Sequence, residues 1–184
     1  MKGVVMDHFW QDVPGWFHAE GLYRRMVEEA KDGSLFVEVG SWKGASASFM
    51  GVEIANSGKT IDFWCVDTWA GSPELLSDPD VVAGTLQDVF LENTKPVAKY
   101  IHALKEESVK AASIFKDEVC DFVYIDADHS YEAVKADIEA WLPKVKVGGT
   151  LAGDDRTAGG VAQAIAELLP NHKIDGDNWV WVKK

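Results

Sequence analysis

The sequence predicts a single α/β domain built on a doubly wound, mostly parallel sheet, and three observations predict it. Short apolar runs alternate with longer stretches of helical period from residue 18 to the C-terminal tail. The run at 119–125 sets its apolar residues almost side by side, as expected where helices cover both faces of a parallel sheet. A glycine-containing turn at 40–44 leads from the first run into a helix, and such sheets hold their ligands at that edge.

The composition fits this class. The 184 residues include 47% hydrophobic and 26% charged side chains, enough to bury one core and too apolar for a disordered or fibrous chain. The formal charge of −12 argues against generic binding to nucleic acid or an anionic membrane, which needs Lys and Arg. No run approaches the roughly eighteen apolar residues of a membrane span. Asp7 and His8 stand where a signal peptide would need an apolar stretch. Cys65 and Cys120 lie in apolar segments without His at ligand spacing, so they read as buried free thiols of a cytoplasmic protein.

Taken in order, Leu22, Met26 and Ala30 share one face of a helix expected over 18–31, which Asp32-Gly33 stops. This helix and the leader (1–33) precede the main body (34–184) and belong to the same domain. Strands are expected at 35–39 and 61–66, with a small-residue helix at 43–56 between them. Gly71, Pro73 and Pro79 interrupt the chain before a helix at 80–93. A short strand at 99–104, a helix at 106–115 and the strand at 119–125 follow. Val134, Ile138 and Trp141 form the apolar stripe of a helix at 130–142. A strand at 148–152, a helix at 160–169, a weak strand at 172–175 and a last strand at 179–182 complete the chain. Of the eight tryptophans, Trp64, Trp141, Trp179 and Trp181 fall in periodic segments and read as packing. Trp10, Trp16, Trp42 and Trp69 fall in turns or the leader and read as walls of a pocket for a flat, partly apolar ligand.

Chemistry-bearing residues gather where the strands end. The first strand closes in Glu38-Val39-Gly40-Ser41-Trp42-Lys43-Gly44, a turn into a helix N-terminus. Trp42 breaks the Gly-x-Gly-x-x-Gly pattern of a dinucleotide site, and no P-loop ending is present. Asp67 ends the second strand, where a carboxylate can accept ribose hydroxyls or cap the next turn. The fourth strand runs into Asp126-Ala127-Asp128-His129-Ser130-Tyr131, and the fifth into Gly153-Asp154-Asp155. Carboxylates crowded at neighbouring tips repel unless a cation lies between them, and oxygen ligands suit Mg²⁺, Mn²⁺ or Ca²⁺. Capping of the two following helices accounts for only two of these four aspartates.

Together Glu38-x-Gly40-x-x-x-Gly44, Asp67-Thr68-Trp69, the run from Ile125 to Tyr131, and Lys146-Val147-Gly148-Gly149 before Gly153-Asp154-Asp155 resemble a class I S-adenosylmethionine-dependent methyltransferase. The likeness runs from about Ser34 to the C-terminus. It is strongest to the small bacterial and phage-type branch akin to divalent-metal-dependent O-methyltransferases. The resemblance implies a Rossmann-like, seven-stranded sheet whose last two strands form an antiparallel hairpin. It also implies that Glu38, Gly40, Ser41 and Gly44 surround the methionine part of the cofactor and that Asp67 with Thr68 binds the ribose. Trp69 or residues 104–107, Glu106 among them, would border the adenine, and Asp126 would face both cofactor and metal. The metal set carried over is Asp126, Asp154 and Asp155. Arg156 departs from the family, which usually has an aromatic residue there.

The expected reaction is methyl transfer from S-adenosylmethionine to a hydroxyl of a sugar-like or phenolic small molecule, assisted by Mg²⁺, Mn²⁺ or Ca²⁺. Asp126 and His129 are its catalytic residues, His129 as general base because free imidazole titrates near neutrality. An NAD-dependent oxidoreductase shares the sheet and the acidic ribose ligand, and a catalytically silent binding module shares the fold. No nucleic-acid or membrane partner is expected. Homo-oligomerisation is left open, and the acceptor must be read by short loops, the leader or a second subunit.

Overall fold

The computed structural model describes residues 5–184. A seven-stranded sheet in the order β3-β2-β1-β4-β5-β7-β6 forms its centre. The strands are β1 (Ser34–Val39), β2 (Ile61–Asp67), β3 (His102–Lys105), β4 (Cys120–Ile125), β5 (Val145–Gly153), β6 (Lys173–Asp175) and β7 (Asn178–Val182). Pairing is parallel from β3 through β5, whereas β7 runs antiparallel to both β5 and β6, giving the C-terminal hairpin.

The helices are α1 (Glu20–Glu29), α2 (Ala45–Ser57), α3 (Pro79–Ala83), α4 (Leu86–Asn93), α5 (Ser108–Ala112), α6 (Tyr131–Trp141) and α7 (Gly159–Leu168). They cover both faces of the sheet, which explains the near-continuous apolar strands. Side chains still alternate along each strand. Phe36, Phe63, Phe122 and Tyr124 join Leu22, Tyr23, Phe49 and Phe90 in one core layer. Val37, Val39, Val123 and Ile125 join Ile138, Trp141 and Ile165 in the other. The stripe Val134, Ile138 and Trp141 is fully buried, each side chain contributing on the order of 2 kcal/mol.

Several boundaries differ from those read in the sequence. The helix expected over 80–93 is two helices, because Gly84 takes φ 70 and closes α3. Residues Lys95–Tyr100 form a 3-10 helix with Pro near its start, so β3 begins later than expected. β5 starts earlier, at Val145, and its pairing with β4 shifts register between Cys120 and Phe122. A 3-10 turn, Trp10–Asp12, precedes α1. Both cysteines are buried and free. Among the described residues, no helix is long and apolar enough to cross a membrane.

Strand register creates the site. Val39 pairs with Val66 and Ile125, Ile125 with Gly153, and Asp67 with Lys105. Gly40, Asp67, Glu106, Asp126 and Asp154 therefore stand in one row along the carboxyl edge of the sheet.

Candidate active site

The row is held at its centre by a close backbone approach. Gly40 has φ 88, and a Cβ on it would lie 2.0 Å from the Asp126 carbonyl oxygen. Only glycine lets the β1 turn lie against the β4 tip this way. The Asp126 N–H donates to the Val39 carbonyl at 2.8 Å, continuing the ladder one residue beyond the strand.

Asp67 ties the next two turns together. Its Oδ2 accepts the backbone N–H groups of Ser41 and Trp42 at 2.8 and 2.9 Å, and its Oδ1 accepts that of Trp69 at 2.7 Å. Trp42 and Trp69 both occupy left-handed backbone conformations, φ 47 and 49, which a bulky side chain adopts only when held. The turn-capping reading of Asp67 is thus realised, while the residue also lines a cavity with Thr68 and Glu106.

Two expected contacts turn away from that cavity. The Trp69 ring is buried, tilted against Phe90 at 4.9 Å, and its Nε1 donates to the Trp42 carbonyl at 3.1 Å. Its apolar surface is worth more in the core than at a rim. Gly44 caps α2 with φ 93, and a Cβ there would meet Thr94 at 2.7 Å, so its role is packing. Trp10 likewise packs edge-on against Phe17 and Phe49, leaving Trp16 and Trp42 as the tryptophans that wall the site.

Glu38 lies beneath the β1 turn, 1% exposed. Its Oε2 accepts the Tyr23 hydroxyl at 2.7 Å and its Oε1 has no hydrogen-bond partner. Burial pushes this carboxyl up to about 7; the nearby Ser41, Tyr23 and Ser46 hydroxyls oppose the shift. The buried Ser41 hydroxyl lies beside this carboxyl and makes no aligned hydrogen bond among the described residues.

Two cavities flank the row. The smaller, about 310 Å³, lies over Asp67, Thr68, Glu106 and Ser108. The larger, about 650 Å³, lies between Trp16, Trp42 and the acidic tips of β4 and β5. Gly40, Trp42, Ser72, Leu75, Asp126 and Ala127 belong to both, so the two form one continuous cleft. Glu74, Asp126, Asp154, Asp155 and Asp177 face the larger cavity, and no Lys or Arg lines either one among the described residues.

Asp126, His129 and Asp155 can each place one ligand atom within 4.8 Å of the others. His129 Nε2 is 3.1 Å from Asp155 Oδ2 and 3.8 Å from Asp126 Oδ1, and the contacts are ionic rather than aligned hydrogen bonds. Asp126, then the charges of Asp155 and Glu74, hold the imidazole up at about 9 against the opposing effect of burial. Without a metal His129 therefore carries a proton at neutral pH and is the counter-ion of the carboxylates. Asp154, the third ligand carried over by resemblance, stands outside this group. Its Oδ1 accepts the Asp155 N–H at 2.8 Å, and burial with the Asp126 charge pushes its carboxyl up to about 6. A nitrogen and two carboxylate ligands suit a divalent cation of intermediate hardness such as Mn²⁺ as well as Mg²⁺.

The segment between β2 and α4 lines the cleft through Ser72, Glu74 and Leu75. Lys43 holds it with Nζ 3.0 Å from Asp78 and 2.6 Å from Asp80, while Asp78 also caps α3. Sequence reading passed over this latch, although the Asp78-Pro79 pair is a helix-start signal. It also passed over Tyr23 and Asp137, which lie in helical stripes and read there as ordinary periodic residues.

Residues 37–156 match the family profile described as Methyltransferase domain. An uncharacterized Sinorhizobium fredii protein, y4gI, is 24% identical over 146 residues, covering 77% of this chain. The chain spans only 15% of the length of that curated relative. The O-methyltransferase NovP has the same fold, with TM-score 0.64, 18% identity and coverage of 90% of this chain and 79% of its own. CalS11, a TDP-rhamnose 3′-O-methyltransferase of calicheamicin biosynthesis, shares it with TM-score 0.56, 16% identity and coverage of 89% and 76%. With the profile covering more than half of the sequence and the sheet order agreeing, the chain belongs to the methyltransferase-domain family and has the class I S-adenosylmethionine-dependent methyltransferase fold.

Proposed function

We propose that this protein transfers a methyl group from S-adenosylmethionine to a hydroxyl of a small, unphosphorylated molecule, sugar-like or phenolic, with a divalent cation at Asp126, His129 and Asp155. The observation that carries this reading is the continuous acidic cleft, whose two halves meet at Asp126 with no Lys or Arg in its walls among the described residues. A cationic sulfonium suits those walls, whereas the pyrophosphate of NAD would meet an excess of carboxylates, with no Lys or Arg among the described residues to offset them. NovP and CalS11, which share the fold, are O-methyltransferases, the latter acting on a sugar, and this points the same way.

When bound, S-adenosylmethionine supplies an activated methyl group and a divalent cation supplies the charge that lowers a hydroxyl's pKa. The chain's own residues position and polarise. Gly40 lets the cofactor's chain approach the backbone, Asp67 and Glu106 present acceptors to its nucleoside, and Trp16 and Trp42 offer faces to the acceptor. Asp154 is a carboxylate with raised basicity facing the larger cavity, suited to take up the acceptor's proton. His129 can share that role once its own proton is displaced. Cytoplasmic residence suits the buried, unpaired thiols.

The test is twofold. S-adenosylhomocysteine, but not NAD, raises the melting temperature, since only a ligand of the folded state stabilises it. Radiolabelled methyl transfer is then screened across sugar and phenol acceptors with and without chelator. Stabilisation by NAD alone, or binding without turnover on any hydroxyl acceptor, overturns the proposal.

A further inference from the structure

The smaller cavity is lined by a buried carboxylate to which neither the family likeness nor the strand-tip pattern assigns a role. Asp137 is only 6% exposed and lies on α6, one helical turn after Ala133, and both residues line that cavity. Burial, the Ser108 hydroxyl and the Asp128 charge act on it, and no Lys, Arg or His does among the described residues. Its polar neighbour is the Ser108 hydroxyl, whose oxygen already accepts the Trp141 Nε1–H at 2.9 Å, leaving the hydroxyl proton to point at Asp137. Burial pushes the Asp137 carboxyl up to about 6, so at neutral pH it is ionised and can only accept hydrogen bonds. An ionised carboxylate without a cation in the wall of a cavity is costly unless the occupant brings a donor.

We propose that Asp137 reads the base of the cofactor by accepting a hydrogen bond from the exocyclic amine of adenine. This rests on the reading that the smaller cavity holds the nucleoside. Ala133, Ser108, Glu106 and Glu107 line the same cavity. A six-oxo purine in the same place would turn a carbonyl oxygen toward Asp137, leaving two acceptors face to face.

Isothermal titration of S-adenosylhomocysteine and its deaminated analogue S-inosylhomocysteine tests this, on wild type and Asp137→Asn. Wild type is expected to bind the adenine ligand at least about tenfold more tightly. Asparagine can accept from the amine or donate to the carbonyl, so the variant should bring the two affinities within about threefold. If Asp137 only supports the start of α5 through Ser108, the variant weakens both ligands alike and the ratio stays, which overturns the proposal. Equal binding of both ligands by wild type overturns it without any variant. Failure of wild type to bind either overturns the nucleoside reading of the cavity, and this assignment with it.

Discussion

Asp67 Oδ2 accepts the N–H of Ser41 at 2.8 Å, so the tip of β2 fixes the conformation of the turn that follows β1. The same carboxylate holds Trp42 and Trp69 in left-handed backbone conformations, coupling turn geometry to the cavity floor.

Replacing Asp67 should therefore damage folding as well as ligand binding. Asp67→Ala leaves three backbone donors without their acceptor and should cost about 2–3 kcal/mol in urea unfolding. Asp67→Asn keeps one acceptor oxygen and should cost roughly half as much. Equal stability of the alanine variant and wild type would sink the clamp.

Gly40→Ala and Gly58→Ala make an informative pair. Both glycines have positive φ, 88 and 67, but nothing lies within 4 Å of a Cβ at Gly58. Gly58→Ala should cost about 1 kcal/mol of backbone strain. Gly40→Ala, driven against the Asp126 carbonyl, should exceed about 3 kcal/mol and open the β1–β4 junction. Chemical denaturation compares them directly.

Cation binding should depend on the group the structure brings together. Calorimetric titration with Mn²⁺ should lose its signal in Asp126→Asn and Asp155→Asn, and Asp154→Asn should retain it at reduced affinity. In the active protein, excess chelator should lower turnover by at least about tenfold, with Mg²⁺ restoring it. Loss of Mn²⁺ binding in Asp154→Asn as complete as in Asp126→Asn and Asp155→Asn would restore the ligand set expected from the sequence.

The His129 contact makes metal-free stability pH-dependent. Its folded pKa, about 9, lies above the ordinary 6.5, so its stabilisation is complete below pH 6.5 and fades as pH rises through about 9. The stability gap between wild type and His129→Gln in chelator should narrow across that window. Glu38 acts in the same direction at lower pH: with its carboxyl raised from 4.5 to about 7, folding is penalised as pH climbs through that interval. Glu38→Gln should flatten that part of the wild-type profile, measured by urea midpoints.

Most of the sheet was legible because each strand is a compact apolar run with a turn signal at its end, as at Val39-Gly40 and Ile125-Asp126. The carboxyl-edge row followed from the same logic, since an aspartate after an apolar strand has few packing reasons to be there. What escaped were relationships between distant segments. Nothing local distinguishes Tyr23, bonded to Glu38, from other apolar-face residues of α1, and Asp137 reads as a polar residue of an amphipathic helix. Trp69 shows the opposite failure: a tryptophan in a turn suggested a pocket wall, but its left-handed backbone swings the ring into the core beside Phe90. The choice of His129 over Asp154 beside Asp126 and Asp155 depends on side-chain direction after the strand tips, which spacing does not encode.

Asp126 and Ala127 form part of the wall of both cavities. A molecule in either cavity thus sets the position and charge of a surface that the other must fit, and this linkage acts equally in both directions. Cofactor and acceptor affinities should be measured jointly, because a substitution at that common wall changes their interaction energy as well as each separate constant.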